Sequence, residues 1–137
     1  MSASKQKGTA WETACVNALR AALPVDVVYR QTLSGTQDKG DIRVVTPWVE
    51  LIVECKNAVR LELAGWVDEA EKEAEHADVD LGVVWHHRKG VGSPVGGYVT
   101  MSGAAFLSLL GTVGINKSNG GVHRVDRRAP ARGRGGR

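Results

Sequence analysis

The sequence has little that would tie it to an oxidising compartment or to a membrane. It holds two cysteines, Cys15 and Cys55, in 137 residues. Neither lies in a CxxC motif or in a Cys/His cluster with zinc spacing. Cys15 falls in a helical pattern and Cys55 in a strand pattern, each among apolar neighbours, so both read as buried thiols rather than as a disulfide. No apolar run approaches the ~18 residues that a membrane span needs. Met1 to Lys7 is polar and basic and lacks the apolar segment of a secretory signal, so cytoplasmic residence without a membrane partner is expected. There is no internal repeat. The glycines at 90, 92, 96 and 97 do not follow a strand and open a helix, so they make no nucleotide-binding fingerprint. No Ser/His/Asp hydrolase arrangement is visible.

What is present fits one compact domain of ordinary globular composition, 42% apolar and 24% charged. Charge is unevenly placed. Arg124 to Arg137 holds six arginines against one aspartate, a net +5. The remaining 12 basic and 14 acidic residues leave the body at −2. The tail, rich in Arg, Gly and Pro, cannot bury enough apolar surface to fold and suits contact with a polyanion. The expected division is a folded domain over 1–123 and a disordered basic tail over 124–137.

Periodicity predicts a helix over Lys7 to Leu23, with Trp11, Cys15, Ala18, Leu19, Ala22 and Leu23 on one face. Thr9 and Glu12 have the spacing of a capping box. A short strand follows within Val25 to Gln31, then a polar loop, then strands over Asp41 to Val45 and Val49 to Lys56 separated by Thr46-Pro47-Trp48. A second helix is expected over Leu61 to Ala77, a buried strand over Leu81 to Trp85, a final strand over Tyr98 to Met101, and a short helix from Ser102 to Leu110 capped by Ser102. The fold class is therefore α/β, a mixed central sheet flanked by helices in the order αβββαββα.

The chemistry concentrates between Asp41 and Lys56. If the turn centres on Pro47 and Trp48, facing residue numbers sum to 95, and Asp41 opposes Glu54. Directly opposed residues share a face with Cβ atoms roughly 4.5–5.5 Å apart. The strand period of two puts Lys56 on that face and turns Val53 and Cys55 toward a core. Two opposed carboxylates repel unless something positive lies between them. A divalent cation is one occupant, and Mg²⁺ binds through one or two carboxylates while keeping waters for substrate phosphate. Lys56 adds positive charge beside an attacked phosphate, and a pKa lowered by its surroundings would let it position a water. A salt-bridge ladder is the plain structural alternative. The apolar residues Ile52, Val53 and Cys55 around these charges argue against a solvated ladder.

Here the residues resemble a known family. Gly40-Asp41 followed by Glu54-Cys55-Lys56 is similar to the D-x(n)-(D/E)-x-K signature of PD-(D/E)XK nucleases, with Gly40 standing where the name-giving motif has proline. Gly8-Thr9-Ala10-Trp11-Glu12 resembles the G-x-x-x-E of small archaeal and phage-type Holliday junction resolvases, and Ser34-Gly35 before Asp41 resembles the same group. The likeness covers roughly residues 5–86. Trp66 and Glu69 stand where some relatives carry a glutamine motif, so exonuclease-type similarity is not supported.

The resemblance implies a metal-dependent, structure-selective DNA endonuclease that hydrolyses phosphodiesters in branched DNA and leaves 5′-phosphate ends. It would work as a homodimer in a bacterial, archaeal or phage-infected cell. Asp41 and Glu54 would bind Mg²⁺ or Mn²⁺, with the Cys55 carbonyl as a further ligand and Glu12 reaching the metal from the first helix. Lys56 would orient the water and stabilise the phosphorane. Lys7, Arg30, Ser34, Lys39, Arg88 and Lys89 are the DNA-binding candidates. Other activities on the same fold are a fork, flap or single-strand nuclease and a restriction-type enzyme. Outside enzymes stand a non-catalytic DNA-binding protein and a structural protein with a salt-bridged hairpin.

Overall fold

A computed structural model of the protein describes residues 3–31 and 41–118. Within them a five-stranded mixed sheet is flanked by three helices, which is the fold class expected. The helices are α1 (Ala3–Ala22), α2 (Leu63–Ala77) and α3 (Gly103–Ser118). The strands are β1 (Val28–Arg30), β2 (Ile42–Val45), β3 (Glu50–Lys56), β4 (Leu81–His86) and β5 (Tyr98–Thr100). They lie side by side in chain order. All neighbours are antiparallel except β3 and β4, whose parallel pairing needs the α2 crossover.

Strand β3 is central and apolar on both faces because helices cover both. Val53, with the partly buried Leu51 and Cys55, packs toward Trp11, Cys15 and Val16 of α1. Ile52 packs on the other side with Ala74 of α2 and Val79. Burying both faces is what allows the near-continuous apolar run from Leu51 to Val53. The α2 side is set by a close approach. A Cβ on Gly82 of β4 would stand 2.1 Å from the Ala70 carbonyl oxygen, so only glycine lets the helix backbone settle here. Helix α2 ends at Asp78, in the left-handed conformation (φ 56°), whose N–H donates to the Ala74 and Glu75 carbonyls.

Several boundaries differ from expectation. Helix α1 begins at Ala3, so Thr9 is an interior residue and caps nothing. The segment before the loop is a 3₁₀ turn at Val25–Val27 followed by only three strand residues. Helix α3 runs well past Leu110, where the sequence pattern fades, to Ser118. Ser102 does cap α3: its hydroxyl oxygen accepts the Ala105 N–H at 3.0 Å, and the hydroxyl donates to Glu71 of α2. The tail at 124–137 lies outside the described residues. Among the described residues no helix is long and apolar enough to cross a membrane.

Candidate active site at the end of strand β3

The β2–β3 hairpin has the register read from its turn. Ile42 faces Val53, Arg43 faces Ile52, Val44 faces Leu51 and Val45 faces Glu50. Asp41, immediately before β2, is thereby brought opposite Glu54. Its carboxylate accepts the Cys55 N–H at 2.7 Å, which fixes it against the β3 backbone. The N–H and C=O of one strand residue project to the same side, so the Cys55 carbonyl also faces Asp41. Glu54 is only 2% exposed, a carboxylate held in the sheet–α2 layer.

Lys56 shares that face. Its Nζ lies 3.9 Å from Glu54 Oε2 and 2.9 Å from Glu69 Oε1. Burial pulls the ammonium pKa down. The hydrogen bond and charge of Glu69, with the charges of Glu54 and Asp41, more than offset this, and the pKa stands above the ordinary lysine value. The lowered pKa expected for Lys56 is therefore corrected: the acids around it keep it protonated. Sequence alone does not single out Glu69 as its partner. A signal is there, since 66, 69, 70 and 73 fall on one helical face with Trp66 and Ala70, and Glu73 is buried on that same face.

The other candidates divide. Glu12, on α1, accepts a hydrogen bond from Arg30 Nε at 2.6 Å, while Arg30 Nη1 donates to Thr13 at 2.9 Å. The two residues thus engage each other. Glu12 is carried by α1, the helix that packs on the face of β3 bearing the Cys55 side chain. Among the described residues no three His, Cys, Asp or Glu side chains come together as a ready-made cation cage. The acids that fit a cation are the Asp41–Glu54 pair with the Cys55 carbonyl, a hard-oxygen set of the kind that leaves room for water and phosphate. The Cys55 thiol points the other way. Its pKa is pushed far up, first by a hydrogen bond with Cys15, then by burial, then by the charges of Cys15, Asp41 and Glu12. Both thiols are free. Ser34 and Lys39 lie outside the described residues.

Lys7, Arg88 and Lys89, by contrast, come together around a cleft at the same end of the sheet. The adjacent histidines at the end of β4 point to opposite faces. His86 is buried near Trp66, ring centroids 6.1 Å apart, and His87 meets Trp11 of α1 edge-on at 5.1 Å. His86 Nε2 bonds Thr100 Oγ1 at 2.8 Å, and burial lowers the pKa of its imidazole. Trp85 donates its indole N–H to the Pro94 carbonyl at 3.0 Å, which anchors the ring. Comparison with protein-family models, curated proteins and solved structures finds no match to this chain.

Proposed function

We propose that the protein is a divalent-metal-dependent DNA endonuclease, with branched DNA as its substrate and a two-fold homodimer as its working form. The observation that carries this reading is the Asp41 carboxylate docked on the Cys55 N–H beside buried Glu54, with the Lys56 ammonium 3.9 Å from that acid. Opposed acids favour positive charge between them, and their hard oxygens suit Mg²⁺ or Mn²⁺. Such a cation, when bound, supplies charge neutralisation for a phosphodiester and an acidified water. Asp41 is oriented for binding by its own hydrogen bond, so little ordering cost remains to be met. Lys56, protonated at neutral pH, donates to a phosphate oxygen and stabilises the charge that builds there rather than taking a proton from water. Glu69 positions Lys56 by holding its Nζ.

The full-length protein, offered a four-way junction, a fork, a flap, duplex and single strand with Mg²⁺ or Mn²⁺, should cut the branched substrates. Asp41→Asn keeps an oxygen that can accept the Cys55 N–H, and Glu54→Gln is near-isosteric. Each should lower cleavage by about 100-fold or more with the fold intact by circular dichroism. Cutting at the parental rate by either variant refutes the assignment.

A further inference from the structure

A cleft of about 530 Å³ opens beside the candidate active site. Asn57, the residue after Lys56, lies in its wall, and the His87 N–H donates to the Lys56 carbonyl at 3.0 Å. The cleft is therefore a main-chain neighbour of β3. Among the described residues no aspartate or glutamate lines it, although the body of the chain carries more acids than bases. Lys7, Arg88 and Lys89 give it three cations instead. A tight turn presents two of them, since Arg88 bridges back to Val91 across Gly90 at φ 82°.

Beside this charge lies uncovered apolar and aromatic surface. Val59 is 91% exposed, Leu61 63% and Tyr98 50%. Arg88 sits over the Tyr98 ring with Cζ 5.5 Å from its centroid, a cation–π contact. The inner wall includes His86, 5% exposed, whose Nδ1 is shut off from water without a hydrogen-bond partner.

We propose that this cleft receives one unpaired nucleotide, its base against Val59, Leu61 and the Tyr98–Arg88 pair and its phosphate against Lys7 and Lys89. A nucleotide joins a flat, amphipathic face to an anion, which is the combination these walls complement. The volume lies within the ~300–1,000 Å³ of small-ligand sites and is far too small for a duplex. A strand and a free nucleotide share this chemistry. The strand is favoured because the cleft opens onto the backbone that carries Lys56. The proposal rests on the reading of the chain as acting on DNA, but it does not need the chain to cut.

Binding of the full-length protein is measured by fluorescence anisotropy in EDTA, so that cleavage plays no part. The probes are a labelled duplex with a three-nucleotide gap, the same duplex fully paired, and dTMP as competitor. The gapped duplex should bind about 10-fold tighter than the paired one, as stacking of a single base on an aromatic wall allows. Leu61→Glu, at an exposed position where folding is insensitive, and Tyr98→Ala should each remove that preference while paired-duplex affinity stays within about twofold. Equal affinity for the two duplexes, or a preference that survives both substitutions, overturns the proposal. Strong competition by dTMP without any gap preference would assign the cleft to free nucleotides and overturn the strand reading. Asp41→Asn separates this proposal from the catalytic one. If that variant cuts like the parent but the gap preference holds, catalysis is misassigned and the cleft stands. If cutting is lost and no preference exists, the reverse is true.

Discussion

Lys56 is held by two acids of different character, one buried on its own strand and one half-exposed on α2. The closer, Glu69 at 2.9 Å, supplies the largest of the contributions that raise its pKa. Replacing it as Glu69→Gln should let burial dominate and bring the Lys56 pKa down, as read by NMR titration of the lysine side chains. Stability should change by less than ~1 kcal/mol, because Lys56 and Glu69 are 25% and 39% exposed and water screens the pair. An unmoved Lys56 pKa would detach Glu69 from the site.

The neighbouring buried imidazole gives a pH effect of defined sign. Burial lowers the His86 pKa in the folded state, so as pH falls the unfolded chain takes up this proton first. Stability is therefore full above the ordinary imidazole range and declines as pH drops through it, levelling once folded His86 also protonates. Urea unfolding between about pH 8 and pH 5 should show this decline, and His86→Asn should flatten it. An unchanged slope in the variant would remove His86 as its source. The position of Asp41 and the roles of Glu69 and His86 are not equally legible in the sequence. Asp41 follows from a turn and a period of two. Glu69 and His86 depend on how a helix and a second strand lie across β3, which no local pattern specifies.

Among elements, the β2–β3 hairpin is the most readable, because Pro47 and Trp48 mark the turn and every later pairing follows from that point. Helix α1 is readable in its buried face, where Trp11 and Cys15 lie, and not in its start, since the segment before Lys7 carries no apolar periodicity to extend. The capping box expected at Thr9 and Glu12 fails for the same reason, and Glu12 turns to Arg30 instead. The seating of α2 depends on one missing side chain. Gly82→Ala would drive a methyl group into the Ala70 carbonyl, with backbone on both sides and no flexible group to yield. It should cost ~1–3 kcal/mol or more in denaturant unfolding. Because Glu69 precedes Ala70, the same change should also loosen its grip on Lys56. A Gly82→Ala protein as stable as the parent would show that the helix does not rest on β4 there.

At the scale of the whole molecule, charge and fold divide the work. The body carries acids in excess, and the six arginines of 124–137 supply the chain's positive balance. For the proposed substrate, long-range attraction would belong to the tail and local placement to the cleft. Removing 124–137 should weaken DNA binding and flatten the dependence of log Kd on log salt by about 0.9 for each phosphate that the tail had neutralised. An unaltered slope would mean that the tail does not touch DNA. The fold class is legible because strands and helices alternate in the order a mixed sheet requires. The convergence of Lys7 with Arg88 and Lys89, from two distant stretches of chain, is not, since it exists only once the sheet is assembled.

The main-chain bond between His87 and Lys56 ties the proposed cutting point directly to the proposed nucleotide pocket. Such a pairing behaves as a ruler. A strand gripped by its first unpaired base would be severed at a constant offset from the junction, giving fragments of one length where a loosely tethered binding module would leave a ladder.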